Sequence, residues 1–328
     1  MIRICTLLIV LCIVTNPNCA HGQTVEIREW LVPWEESAPS DAFVGPRGRI
    51  WFVSVENDFI ANFQPDSGEF NRYDLQKGTK PVALLVDADR ILWFLSAGRQ
   101  EIGSINPATG RVSKFDMPQR RARDPRSMIF DQNGNIWFTV SRDNFIGRLD
   151  VATGATSMIA VPTKDASPFG ITAGAGNELW IAASGKNLLL RVDADTMSIA
   201  EIAIPDESAR PRRIAVSSDN RVWYADYARG KLGRFDPARG DFAEWSMPGG
   251  EDSQPFGMAI DRNDRIWIVE TGSIPNRLIG FDTATGSFLT ETDIPSSAEL
   301  VSHLFYHEPA GEVWFGTQTN YIGRAIVH

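Results

Sequence analysis

The chain has 328 residues, 43% hydrophobic and 22% charged, with 27 Gly and 19 Pro. This is globular composition, which excludes the disordered, collagen-like and low-complexity classes. A formal net charge of −9 argues against a nucleic-acid-binding surface.

Met1 to Thr15 carries one charge, Arg3, followed by an apolar run from Ile4 to Val14. That run is shorter than the roughly 20 residues needed to span a bilayer. A small-x-small site, Ala20-His21-Gly22, comes next. Residues 1–22 therefore read as a secretory signal peptide cleaved after Gly22, and export to the periplasm or the medium is expected. A lipid anchor at Cys19 is the rival; Asn16-Pro17-Asn18 lacks the small and leucine residues of a lipobox. Cys5, Cys12 and Cys19 all lie in this segment. The domain expected over 23–328 thus has no cysteine and must be held by its core alone. No later apolar segment is long enough for a membrane span.

Seven tryptophans then keep time: Trp51, Trp93, Trp137, Trp180, Trp223, Trp267 and Trp314, separated by 42, 44, 43, 43, 44 and 47 residues. A period in this range signals a repeat architecture. Twelve residues before the Trp stands a proline in six repeats (Pro39, Pro81, Pro125, Pro168, Pro211, Pro255) and Ser302 in the seventh. A turn pair such as Asn133-Gly134 or Asp219-Asn220 precedes the Trp strand. A third strand, such as Ile146 to Asp150, and a Gly-terminated turn, such as Pro107 to Gly110, lead to a fourth. Four short strands per unit at this period predict an all-β, seven-bladed β-propeller. The last repeat stops after its third strand, while Ile27 to Pro33 echoes the fourth-strand segment Phe242 to Pro248. The N-terminal strand is therefore expected to complete the last blade and close the ring.

Function has to be argued from positions the repeat does not need. The residue after the proline (−11 from the Trp) reads Ser40, Val82, Arg126, Phe169, Arg212, Phe256, His303. Position +3 reads Ser54, Ser96, Val140, Ala183, Asp226, Glu270, Thr317. Both are nearly symmetric about the hairpin turn, so both are expected at one mouth of the central channel. Ionisable residues gather in blades five to seven, with Gln254 beside them. Glu270 and His303 are the general-base candidates. Arg126 and Arg212 suit an anionic or carbonyl oxygen, and Phe169 and Phe256 suit an apolar pocket wall. Asp226 and Glu270 together offer oxygens to Mg²⁺ or Ca²⁺. The plainer alternative is that Arg212 pairs with Asp226, and Glu270 with another arginine, as rim charges. His303 and His307 are four residues apart, which by strand alternation allows a two-histidine metal site. A Cys-type zinc site, a Gly-rich phosphate loop and a nucleophile elbow are absent.

Pro168 to Ile171 (PFGI), Asn133 to Phe138 (NGNIWF) and Asn144 to Asp150 (NFIGRLD) resemble the blades of the streptogramin lyases, the virginiamycin B lyase family. The likeness covers essentially all of 23–328. It implies a C–O lyase that opens a cyclic depsipeptide by elimination across its ester, with Mg²⁺. The family pattern puts histidines at −11 in two adjacent blades, a glutamate two residues before the second, and another at +3 of that blade. Carried over, these fall on Arg212, Phe256, Gln254 and Glu270, of which Glu270 matches. The lead expectation is an exported, monomeric, lyase-like propeller acting on a cyclic or ester-containing small molecule. The alternative is a non-catalytic propeller binding a ligand or protein through the same rim. A gluconolactonase-type metal propeller ranks last, because its ligands come from several blades and the acids here lie on blades five and six.

Overall fold

The computed structural model describes residues 25–118 and 122–327. The expected signal peptide and His328 lie outside the described residues. The chain forms seven four-stranded antiparallel sheets, the blades of a β-propeller. In blades one to six the strands, called A to D outward from the channel, follow chain order. In the seventh, Glu26–Leu31 pairs antiparallel with Tyr321–Ile326, from Glu26↔Ile326 to Leu31↔Tyr321. The N-terminal strand is thus the outer strand of the last blade, as expected from its echo of Phe242 to Pro248. Among the described residues no helix is long and apolar enough to cross a membrane.

The ring is cemented between blades. Trp223, Ala225 and Leu232 of blade five pack against Met258, Ile266, Ile268, Ile279 and Phe281 of blade six. All seven repeat tryptophans are buried, from 0% exposed at Trp137 to 6% at Trp51. The indole N–H needs a partner once buried. In blades two, three and six an aspartate six residues earlier supplies it: Asp87, Asp131 and Asp261 accept at 2.8, 2.9 and 2.9 Å. Ser217 does so in blade five at 3.1 Å, and Glu312 in blade seven at 3.0 Å. Blades one and four have Gly45 and Gly174 at that place. The Ile-Gly-Arg signature of strand C also has a steric origin. A Cβ on Gly147 would lie 2.1 Å from the Phe138 ring, which covers it.

One local feature positions the functional residues. Strand A slips register just inside its start in each of blades one to six. The proline itself, not the residue after it, stands opposite +3: Pro211↔Asp226 and Pro255↔Glu270. Directly opposed residues share a face of a sheet, and a bulge re-aims the residues inside it. Positions −11 and +3 are therefore not on one face. In blade seven strand A shortens to Phe305–His307, leaving His303 outside it.

Candidate functional site

In blades one, two, five and six the +3 residue ties down the loop that enters the blade. Ser54 Oγ donates to the Ser37 carbonyl at 2.5 Å, and Ser96 Oγ to that of Thr79 at 2.6 Å. Asp226 and Glu270 do the same with charge. Asp226, fully buried, accepts from the Arg210 N–H at 3.0 Å and pairs with Arg229 Nε at 2.7 Å. Arg229 also reaches Asp206 at 2.9 Å and Glu244. Glu270, also fully buried, accepts from the Gly249 N–H at 2.7 Å and pairs with Arg277. Both carboxylates hold loops, and neither reaches the channel mouth. Asp226 pairs with Arg229 rather than Arg212, and Glu270 does pair with another arginine.

The −11 ring converges instead. Phe169 of blade four and Phe256 of blade six meet across blade five, with ring centroids 5.7 Å apart. The Arg212 guanidinium lies 5.0 Å from the Phe256 ring, 6.0 Å from Phe169 and 3.5 Å from Tyr227. Arg126 approaches Phe169 from the other side at 5.2 Å and pairs with Asp124 at 2.7 Å. Gln254 joins at the rim, its Oε1 accepting from the Tyr227 hydroxyl at 2.9 Å. The structure thus brings together Arg126, Phe169, Arg212, Gln254 and Phe256, and leaves Asp226 and Glu270 apart.

Beneath this layer lies Arg213. Its Nε donates to the Ser302 carbonyl of blade seven at 2.9 Å, and its Nη1 to Ser127 Oγ of blade three at 3.0 Å. One side chain therefore bridges the channel. Burial pushes its guanidinium down to about 10, with Arg126 adding in the same direction and Asp41 opposing. Burial, reinforced by Arg126, also lowers Arg212, while Tyr227 opposes. Among the described residues no carboxylate forms an ion pair with Arg212 or Arg213. His303 Nδ1 stands 3.4 Å from Asp41 Oδ1. Its pKa falls below the usual histidine value: burial lowers it, Asp41 works against this, and Arg213 adds to the fall. His303 is accordingly neutral at pH 7.

Sequence reasoning missed Asp41, Arg213 and Tyr227. Asp41 and Arg213 occupy position −10, which reads Asp41, Ala83, Ser127, Gly170, Arg213, Gly257, Leu304. A charged residue stands there in only two blades, so a third ring was available to find them. The glycines have their own reason: a Cβ on Gly170 would sit 2.6 Å from the Arg212 carbonyl oxygen. The two-histidine site does not form. His307 lies at the far end of strand A, opposite Glu312, about 13 Å along an extended chain from His303.

Mg²⁺ does not fit this donor set. The mouth presents guanidinium groups; its carboxylates Asp124 and Asp41 face Arg126 and His303, and the buried +3 carboxylates Asp226 and Glu270 are already bonded to arginines and loop N–H groups. Among the described residues no three His, Cys, Asp or Glu side chains gather as metal ligands.

The fold and mouth define a class: a ring-closed, seven-bladed propeller with a cationic and aromatic channel entrance. The profile of the virginiamycin B lyase family matches residues 19–278 and again 124–328. The chain belongs to that family. It superposes on a virginiamycin B lyase from Staphylococcus aureus with TM-score 0.84 at 22% identity, covering 93% of this chain and 100% of that one. A catalytically inactive histidine variant of the S. aureus enzyme, crystallised with quinupristin, matches with TM-score 0.84 at 23% identity over 93% and 100% of the two chains. A streptogramin B lyase matches with TM-score 0.83 at 23% identity over 93% and 98%. At these identities the likeness carries the fold alone. No curated protein sequence matches significantly.

Proposed function

We propose that this protein is an exported, monomeric propeller that binds an anionic small molecule with an apolar or aromatic body at the channel mouth. The convergence of Arg212 and Arg126 on the Phe169–Phe256 pair supports the reading best. Guanidinium planes suit carboxylates and similar oxyanions, and the rings supply an apolar wall. The local positive charge is the more telling in a chain of net charge −9. A thermal-shift screen of aliphatic and aromatic carboxylates tests it. Aromatic carboxylates are expected to raise Tm in wild type and not in Arg212→Ala; a flat response across the panel overturns the reading.

A second reading, C–O elimination, is favoured by one observation. His303 is held neutral beside Asp41, a geometry in which an imidazole can accept a proton. Quinupristin, bound by the S. aureus relative, is the natural probe. Linearisation detected by mass spectrometry and abolished by His303→Ala would support this second reading. Intact quinupristin after long incubation with Mg²⁺ agrees with binding without turnover.

A further inference from the structure

Blade one departs from most of the repeat at the end of the strands opposite the channel mouth. Gly45, like Gly174 in blade four, stands where blades two, three, five and six place Asp or Ser beneath the indole N–H. A Cβ there would lie 2.8 Å from Trp51 Nε1, so glycine leaves that edge clear. Among the described residues Trp51 Nε1 has no hydrogen-bond partner. Opposite Trp51 on strand C stands Asn62, where blades three, four, five and seven have Arg148, Arg191, Arg234 and Arg324. Asn62 Oδ1 accepts from Arg49 Nη1 at 3.4 Å. Its Nδ2 is buried without a partner.

Trp51 and Tyr73, ring centroids 5.5 Å apart, line a cavity of about 450 Å³ between blades one and two. Arg47, Arg49 and Arg90 line it too, against one acid, Asp89. Among the described residues none of the three arginines forms an ion pair. Three cations around an aromatic floor, in a space of ligand size, match a phosphoryl or sulfuryl oxyanion on a ring. We infer that this cavity is a second ligand site, which takes a phosphorylated or sulfated aromatic small molecule. The anion meets the arginines and the ring lies on the Trp51–Tyr73 floor.

The inference does not rest on the channel-mouth reading, and the test separates the two. Phenyl phosphate, phenyl sulfate and inorganic phosphate are titrated into the protein at fixed ionic strength, following heat and tryptophan fluorescence. The aryl esters are expected to bind with Kd of ~1 mM or tighter, and inorganic phosphate at least about tenfold more weakly for want of the ring. The comparison of phosphate with sulfate ester identifies the preferred anion. Titrated in an Arg212→Ala background, which removes the channel-mouth contribution, Arg47→Glu and Arg90→Glu, at exposed positions, each weaken aryl ester binding about tenfold or more. Gly45→Asp, which supplies the missing indole partner and a negative charge, abolishes it. Absence of binding in the Arg212→Ala background overturns the inference, and so does binding in that background that survives both glutamate variants.

Discussion

Glu270 and Asp226 look like reagents in the sequence and act as struts in the structure, because of what their oxygens already hold. Each is fully buried, with one oxygen on a loop N–H and the other on an arginine. Removing Glu270 strips the Gly249 N–H of its acceptor and leaves Arg277 with Glu291 alone, which costs about 1–3 kcal/mol. Glu270→Ala should therefore lower the urea midpoint strongly, yet leave ligand affinity at the channel mouth within about twofold. A variant of normal stability that loses binding would restore Glu270 to the site. His303 makes the opposite kind of prediction. Its folded pKa lies below the unfolded value of about 6.5, so the unfolded state takes up the proton first. The stability tied to its neutral form is complete above pH 6.5 and declines as pH falls below it. His303→Asn should flatten that decline in denaturation curves recorded between pH 7 and 5; an unchanged slope would show that His303 titrates normally.

At the scale of the element, the start of strand A decides what was legible. The proline, the tryptophan and the glycine of strand C are repeated, and each has one steric job, so periodicity alone exposes them. The strand boundaries and the closing strand follow from the same beat. The bulge is different, because it is a register slip of one residue with no marker in the residue types. Hairpin symmetry pairs −11 with +3, whereas the slip pairs the proline with +3 and frees −11 and −10 for the channel. That single residue separates Arg212 from Asp226 and Phe256 from Glu270. It also hides Arg213, whose reach to Ser127 and Ser302 depends on where blades three and seven stand in the ring. Arg126, Phe169, Arg212 and Phe256 lie together whichever residue the proline faces, because all four share position −11, and Gln254 neighbours one of them. The steric account of strand C is testable. Gly147→Ala pushes a methyl into the buried Phe138 ring and should cost about 2 kcal/mol or more in chemical denaturation, whereas Gly134→Ala, with open space but a φ of +78°, should cost only the roughly 1 kcal/mol of its left-handed backbone.

For the whole molecule, closure is the structural claim with the widest consequences. Trp30 of the N-terminal strand stacks on Trp314 at 5.6 Å and meets Phe63 of blade one at 5.1 Å, so it staples the last blade to the first. Deleting residues 26–31 bares the edge of Tyr321–Ile326, and open edges template association. That variant should aggregate or oligomerise in size-exclusion chromatography; a monomeric, equally stable product would contradict closure. The ring in turn is what brings side chains from blades three, four, five and six to one mouth. Arginines dominate there while the molecule is acidic, and among the described residues no three acidic or histidine side chains gather for a divalent cation. Calorimetric titration of 1-naphthoate into wild type and Arg212→Ala tests this central claim most directly. The account predicts saturable one-to-one binding that weakens about tenfold or more in the variant and does not depend on Mg²⁺. Equal affinity in the two proteins, or binding that appears only with Mg²⁺, would contradict it.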